Sequence, residues 1–344
     1  MRFLQTLLLT SLCTSAYAEQ NKPVSEAPQG RVNYPSNFQV DGGCNLFVTG
    51  DYLYWTANED GLYFAQTGFR NSTLAVPPDG SIVFNGRIKK IDPDWTNGVR
   101  LGLGLNFPKE GYDTILYWTW YTNSSHKSAE GSLLPLWAEP NLTPFAPATH
   151  ASGKWNLDLN VFDLEWGRSS WFGGHLSLRP FFGLRGAWIE QDLKTHYRYA
   201  TRTPITSHQH ADADFRGGGL RAGIDTRFAL PHGFAVFGNA SGSILYGQIN
   251  GGFRVKKNEI TIARTKDHFW KGIGSLGLAL GFGWDTHFAK DRLHIEFHVN
   301  WESNIWLHIN QMNHFMNQLR SGNYFKENGN LSTQGLVAGG RFDF

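Results

Sequence analysis

The side chains best suited to chemistry fall into a few small groups. His208, His210, Asp212 and Asp214 alternate along the chain, and an extended strand puts such alternate residues on one face. Two imidazoles beside two carboxylates suit a transition-metal ion, or the Asp/His pairing with which a surface hydrolase activates water. An ordinary polar segment entering a strand has the same composition, and no clear second Asp/His pair completes a hydrolytic site. His294, Glu296 and His298 repeat the pattern at i, i+2, i+4. The lining of a wet interior accounts for them better than a metal does. Gly272-Ile273-Gly274-Ser275-Leu276-Gly277 satisfies G-x-G-x-x-G. A dinucleotide cradle needs a strand before those glycines and a helix after them, whereas here they open a strand. No catalytic residue, metal or cofactor is therefore assigned, and the chain does not read as an enzyme.

The elements that must position these residues are announced by the composition. The chain has 344 residues, 41% of them hydrophobic but only 17% charged, below the ~25% of an average globular chain. Glycine (39 residues) and aromatics (15%, with 13 Trp) fill the difference, while the mean hydropathy is only −0.35. Thirty-one basic against 29 acidic residues give a formal charge of +2. Such a balance, with no basic block, argues against a nucleic-acid partner. Two cysteines exclude a disulfide scaffold.

Residues 1–18 read as a secretory signal: Arg2 is the basic flank, 3–12 the apolar region, and Ala16-Tyr17-Ala18 the small-x-small cleavage site. Leu12 stands where lipid attachment at Cys13 would need a small residue. Cys44 is then the one cysteine of the mature chain, inert or available for an intermolecular disulfide. Residues 19–45 are polar and Pro-containing and read as a flexible periplasmic lead-in. No later stretch approaches the ~18 apolar residues of a spanning helix. A membrane protein without spanning helices must be a closed barrel.

Period-two alternation supports the barrel. Leu293, Ile295, Phe297, Val299 and Trp301 face one way, and His294, Glu296, His298, Asn300 and Glu302 the other. Similar alternation gives ten strands: 46–56, 95–107, 112–121, 154–167, 174–189, 214–228, 234–247, 269–285, 293–308 and 332–344. A hairpin from 61–68 and 81–90 would make twelve. An apparent phase shift between Val161 and Phe162 reads as a bulge. Short turns near 108–111, 168–174, 230–233 and 286–291 alternate with long connections, as in outer-membrane barrels with short periplasmic turns and long external loops. Phe107, Trp166, Trp188, Phe228, Trp284, Trp301 and Phe344 fall on the apolar faces, where an aromatic ring suits the lipid interface. The last strand ends on Phe344, a signal resembling the one that such barrels present to their insertion machinery.

The chain resembles the major outer membrane proteins of the Legionella and chlamydia-related type. The resemblance rests on 48–55 (VTGDYLYW), 160–168 (NVFDLEWGR), 178–189 (LRPFFGLRGAWI), 219–227 (GLRAGIDTR) and 243–247 (SILYG). It implies a porin-like barrel over 46–344 in the cell outer membrane, and it brings no catalytic residues. Chlamydial relatives are rich in cysteine for cross-linking, which this chain is not.

With the polar faces inward, the lumen is expected to hold Arg100, Arg179, Arg185, Arg221, Arg227 and Arg341. Against them stand Asp51, Asp158, Asp163, Glu165, Asp225, Glu296, Glu302 and Asp343, with His294 and His298 among them. Arg179 and Arg185 beside Arg221 and Arg227 predict a basic stripe and a mild anion preference. The expected function is passive diffusion of ions or small polar solutes, with a surface structural role. A non-conducting structural or adhesive barrel acting through its external loops is the alternative. Its partners would be outer-membrane lipid and further copies of itself.

Overall fold

The computed structural model describes residues 34–38, 40, 45–68, 86–107, 110–137, 147–199, 204–289, 292–315 and 324–344. The expectations for the signal segment and for Cys44 lie outside these residues. Ten long strands form the wall: β2 Leu46–Glu59, β5 Trp95–Phe107, β6 Tyr112–Pro135, β7 Ala148–Arg168, β9 Leu176–Tyr199, β10 Ile205–Ala229, β11 Phe234–Lys257, β12 Ile260–Phe288, β13 Leu293–Asn310 and β16 Gly329–Asp343. Each pairs antiparallel with its neighbours, and the ring closes where Phe342 of β16 lies opposite Val48 of β2. Closure leaves none of these ten strands as a sheet edge.

The strand count matches the ten expected, but the strands run much further. β6, β9 and β10 have 24, 24 and 25 residues, whereas a membrane crossing takes about 9–11. Much of what alternation assigned to loops 123–153, 190–213 and 248–268 is wall. At 258–259, Asn258 and Glu259 both adopt positive φ, 44° and 65°, and reverse the chain in two residues. The hairpin that would have made twelve strands does form, as β3 Tyr63–Thr67 and β4 Ile88–Lys90. It stays out of the ring. β3 pairs with the upper end of β6, and Leu62, Phe64 and Ile91 are buried. Gly153 of β7 makes room for them, because a Cβ there would lie 2.9 Å from the Ile91 side chain. The remaining short strands are β1 Tyr34–Pro35, which pairs β8 Ser170–Phe172, and β14 Asn313–Phe315, which pairs β15 Tyr324–Lys326.

The expected bulge between Val161 and Phe162 is absent: β7 pairs with β6 in unbroken register through that point. What changes there is polarity. Below it Asp163 and Glu165 face in while Phe162, Leu164 and Trp166 face out. Above it Val161, Leu159, Leu157 and Trp155 face in, and Asn160, Asp158, Asn156 and Lys154 face out. Sequence alternation reads such an exchange of faces as a slip of phase.

Candidate functional site

The lower bore is a lattice of ion pairs. Arg179 of β9 reaches Asp113 at 2.6 Å, Glu165 at 3.2 Å and Asp225 at 2.6 Å. On β10, Arg221 donates to Glu165 at 3.0 Å. Arg185 grips both oxygens of Asp163, at 2.6 and 2.7 Å, and donates to Ser275 across the bore at 3.0 Å. Arg100 of β5 holds Glu302 of β13 bidentately at 2.8 and 3.0 Å, and His298 lies 3.1 Å from Asp51. Arg227 joins Glu296 at 2.9 Å and Asp285. Arg341 joins Asp343 at 2.6 Å. Bidentate guanidinium–carboxylate pairs of this kind fix geometry as well as charge. Most of these side chains, among them Arg100, Arg179, Arg185, Arg221 and Arg227, line a cavity of about 340 Å³.

Fifteen of the sixteen charged and histidine side chains expected to line the interior do face it. Asp158 does not: it alternates with buried Leu157 and Leu159, lies on the outer surface and accepts a hydrogen bond from Asn160 at 2.8 Å. Asp113 and Asp285 take its place inside, raising the acids from eight to nine. Asp285 continues the inward face of Gly277 to Gly283, a signal present in the sequence. Asp113 follows a turn, where alternation has nothing yet to count from. The basic stripe is also corrected, since each of its four arginines is bound to carboxylate. His294 is buried, 2.8 Å from Asp343, and Glu296 and His298 each have a separate partner. Among the described residues no three His, Cys, Asp or Glu side chains come together to enclose a metal.

Above the lattice the bore is filled with apolar side chains. Trp55, Tyr121, Trp137, Trp155, Phe215 and Phe253 are each at most 2% exposed. Leu62 and Phe64 of the inner hairpin segment join the same core. Tyr197 donates to the Phe64 carbonyl at 2.6 Å, and the Trp137 indole to the Tyr63 carbonyl at 2.8 Å. Glu59 is enclosed there against Gln191 and Trp155. Burial pushes its pKa well above the ordinary carboxylate value, which favours the neutral acid.

Residues 34–38 cross the lower mouth. Tyr34 pairs with Trp171, Ser36 donates its amide to Ser169 at 3.2 Å, and the Phe38 ring stacks on His294 at 3.8 Å. The guanidiniums of Arg227 and Arg341 approach the same ring, at 5.2 and 5.3 Å. The composition of 19–45 carried no sign of this docking.

A family model described as Legionella pneumophila major outer membrane protein precursor matches residues 45–344. The chain belongs to that family. A search of curated proteins finds no match. Among solved structures the chain is similar to the outer membrane protease OmpT of Escherichia coli, at 10% identity over 90% of this chain and 99% of that one, with a TM-score of 0.39. A Pseudomonas aeruginosa FadL homologue is 8% identical over 87% and 89%, TM-score 0.23. The P. putida toluene transporter TodX is 6% identical over the same shares, TM-score 0.23.

The family is one of outer-membrane proteins, so the outward face of the lower barrel meets lipid. Phe107, Trp166, Phe228, Trp284 and Phe344 point outward toward the lower end, with Trp166 packed on Phe182 at 5.8 Å and Trp284 on Phe297 at 6.3 Å. Trp188 and Trp301 face outward higher up, where Trp301 meets Trp95 at 6.0 Å and Trp270 stacks on Tyr246 at 5.4 Å. Beyond this upper band the outward residues turn polar. The quartet of His208, His210, Asp212 and Asp214 lies on that outward wall, spread along one strand over about 20 Å. His196 faces His208 with ring nitrogens 3.2 Å apart. Burial, with His208 and His150 nearby, lowers His196 to about 4. Burial beside Glu190 and Asp212 raises Asp214 to about 6.

Proposed function

We propose that this chain is a surface structural barrel of the outer membrane, with its bore closed in the conformation described. The observation that carries the reading is the aromatic core across the upper half, from Trp55 and Trp155 to Phe253. The ion-pair lattice beneath it and the segment bearing Phe38 at the lower mouth act in the same sense. The role then resides in the wall that extends beyond the membrane, and in the connections it carries. Chemistry on substrate is not part of this reading, because the His/Asp quartet is spread down a convex wall instead of converging. Cleavage after Ala18, presentation of Phe344 to the insertion machinery and self-association belong to the same proposal.

One observation favours the second reading, passive diffusion of ions or small polar solutes: the charged cavity of about 340 Å³. Planar-bilayer recording of the refolded full chain separates the two. The closed reading expects a silent wild type, and unitary steps at rest would replace it with a porin. Phe38→Ala is expected to leave recordings silent while exposing a cysteine placed at Ser241 to thiol reagents from the periplasmic side.

A further inference from the structure

The outer wall above the aromatic band carries a row of basic side chains for which the fold provides few partners. His126 of β6 lies opposite Lys154 of β7, Lys154 opposite Lys194 of β9, and Lys194 opposite His210 of β10. The row continues from His210 to Arg254 of β11 and from Arg254 to Arg264 of β12. Six consecutive wall strands thus present a basic residue at one register level, all outward, next to buried Ser125, Trp155, Leu193, Gln209 and Val255. Like charges directly opposite one another destabilise a sheet.

Two other cations on this wall have carboxylates: Arg216 meets Glu190 at 2.9 Å, and Lys256 meets Glu259 at 3.7 Å. Within the row, Asp192 serves Lys194 at 3.0 Å and also contacts His210. Lys154, Arg254 and Arg264 have no ion pair among the described residues. Just toward the membrane from the two arginines, Gly251 and Gly252 leave a hollow of about 340 Å³, rimmed by His210, Asp212, Arg254, Arg264, Lys266 and His268. Asp212 leans over Gly252, its Oδ1 only 2.6 Å from where a Cβ would stand. It is the carboxylate at the hollow that opposes an anion, since Asp267 is held by Lys326 at 2.8 Å.

The hollow lies on the same outward face as the Tyr246–Trp270 stack. Arg264 is six residues from Trp270 on one strand, about 20 Å along it at ~3.3 Å per residue. A tilt of ~35–45° makes that about 15 Å above the aromatic band. At that height a lipid carries its sugars, not its acyl chains. The guanidinium fork matches phosphate oxygens bidentately. We propose that this hollow binds the phosphorylated saccharide headgroup of an outer-leaflet glycolipid, with Arg254 and Arg264 on the phosphate and Lys266 and His268 on its rim. The inference rests on the outer-membrane location and not on whether the bore conducts.

The test uses refolded full-length protein in detergent micelles doped with a diphosphorylated glucosamine-disaccharide lipid, with its dephosphorylated form and inorganic pyrophosphate as controls. The wild type is expected to retain the phosphorylated lipid. Arg254→Gln with Arg264→Gln should weaken retention about tenfold or more, and Asp212→Asn should strengthen it. Heat-dependent gel mobility reports that each variant is folded, and paired Arg→Lys changes should keep part of the affinity. Wild-type retention in the double Gln variant overturns the site. So does equal retention of the dephosphorylated lipid. Binding of pyrophosphate with no preference for the lipid overturns the glycolipid as its occupant.

Discussion

The lower and upper halves of this barrel are one continuous sheet with their faces exchanged. Below Val161 the wall is apolar outside and charged within; beyond the aromatic band that lies near that level the outside is polar and the inside holds an aromatic core. The strands pass from one regime to the other without a break in register. The two solvents explain the exchange. In lipid the outer face must be apolar, and the inner face can be polar where every charge finds a partner. In water the wall needs an apolar interior, as a soluble barrel does. The upper half stays folded because it has its own core, which is why the strands continue where a crossing would already be complete.

Substitutions at matched positions break this comparison most directly. Trp155→Ala, in the upper core, is expected to cost about 3–5 kcal/mol, read from urea unfolding in micelles. Trp188→Ala, outward at the upper band, should cost clearly less. Equal losses would mean that the upper interior is not packed. A somewhat smaller effect is expected where the lower bore loses a cation. Arg179→Gln leaves Asp113, Glu165 and Asp225 clustered without it, at a cost of about 3 kcal/mol. Arg216→Gln, removing an exposed pair, should cost about 0–1 kcal/mol.

The smallest effects concern pH and sharpen the picture of the outer wall. Asp214 titrates near 6 in the folded chain, above the ordinary carboxylate value, so the folded state holds its proton more tightly. Its contribution is complete below about pH 4 and is lost as pH rises through 6. His196, near 4, sits below the ordinary histidine value. Its contribution is complete above about pH 6.5 and is lost as pH falls toward 4. The two oppose each other between pH 4 and 6. Asp214→Asn and His196→Gln should therefore tilt the wild-type stability profile in opposite directions, each by less than about 1 kcal/mol after solvent screening. Unfolding midpoints at pH 4.5, 5.5 and 6.5 would show it, and parallel profiles would remove the assignment.

Much of this was legible in the residues. Alternation in 293–301 and 276–284 named the lipid face correctly because both sides of those strands lie within the membrane-spanning zone. It mistook 123–153 and 190–213 for loops because the outward-apolar rule reverses there, and the inner hairpin supplies the surface that buries their other face. Asp158 was assigned inward for the same reason: it continues the polar face of a strand whose polar face has moved outside.

By itself the sequence determined the antiparallel barrel, its ten strands and the inward direction of the six arginines, since each follows from a period of two and the absence of a spanning helix. The tertiary structure decided which charges meet. Register with the curvature of the closed wall brings Arg179 to Asp113 across 66 residues and Arg100 to Glu302 across 202, and register puts Arg254 opposite Arg264. It also decided that the bore is filled: Trp55, Trp155 and Phe253 are far apart along the chain, and only closure of the ring puts them in one core.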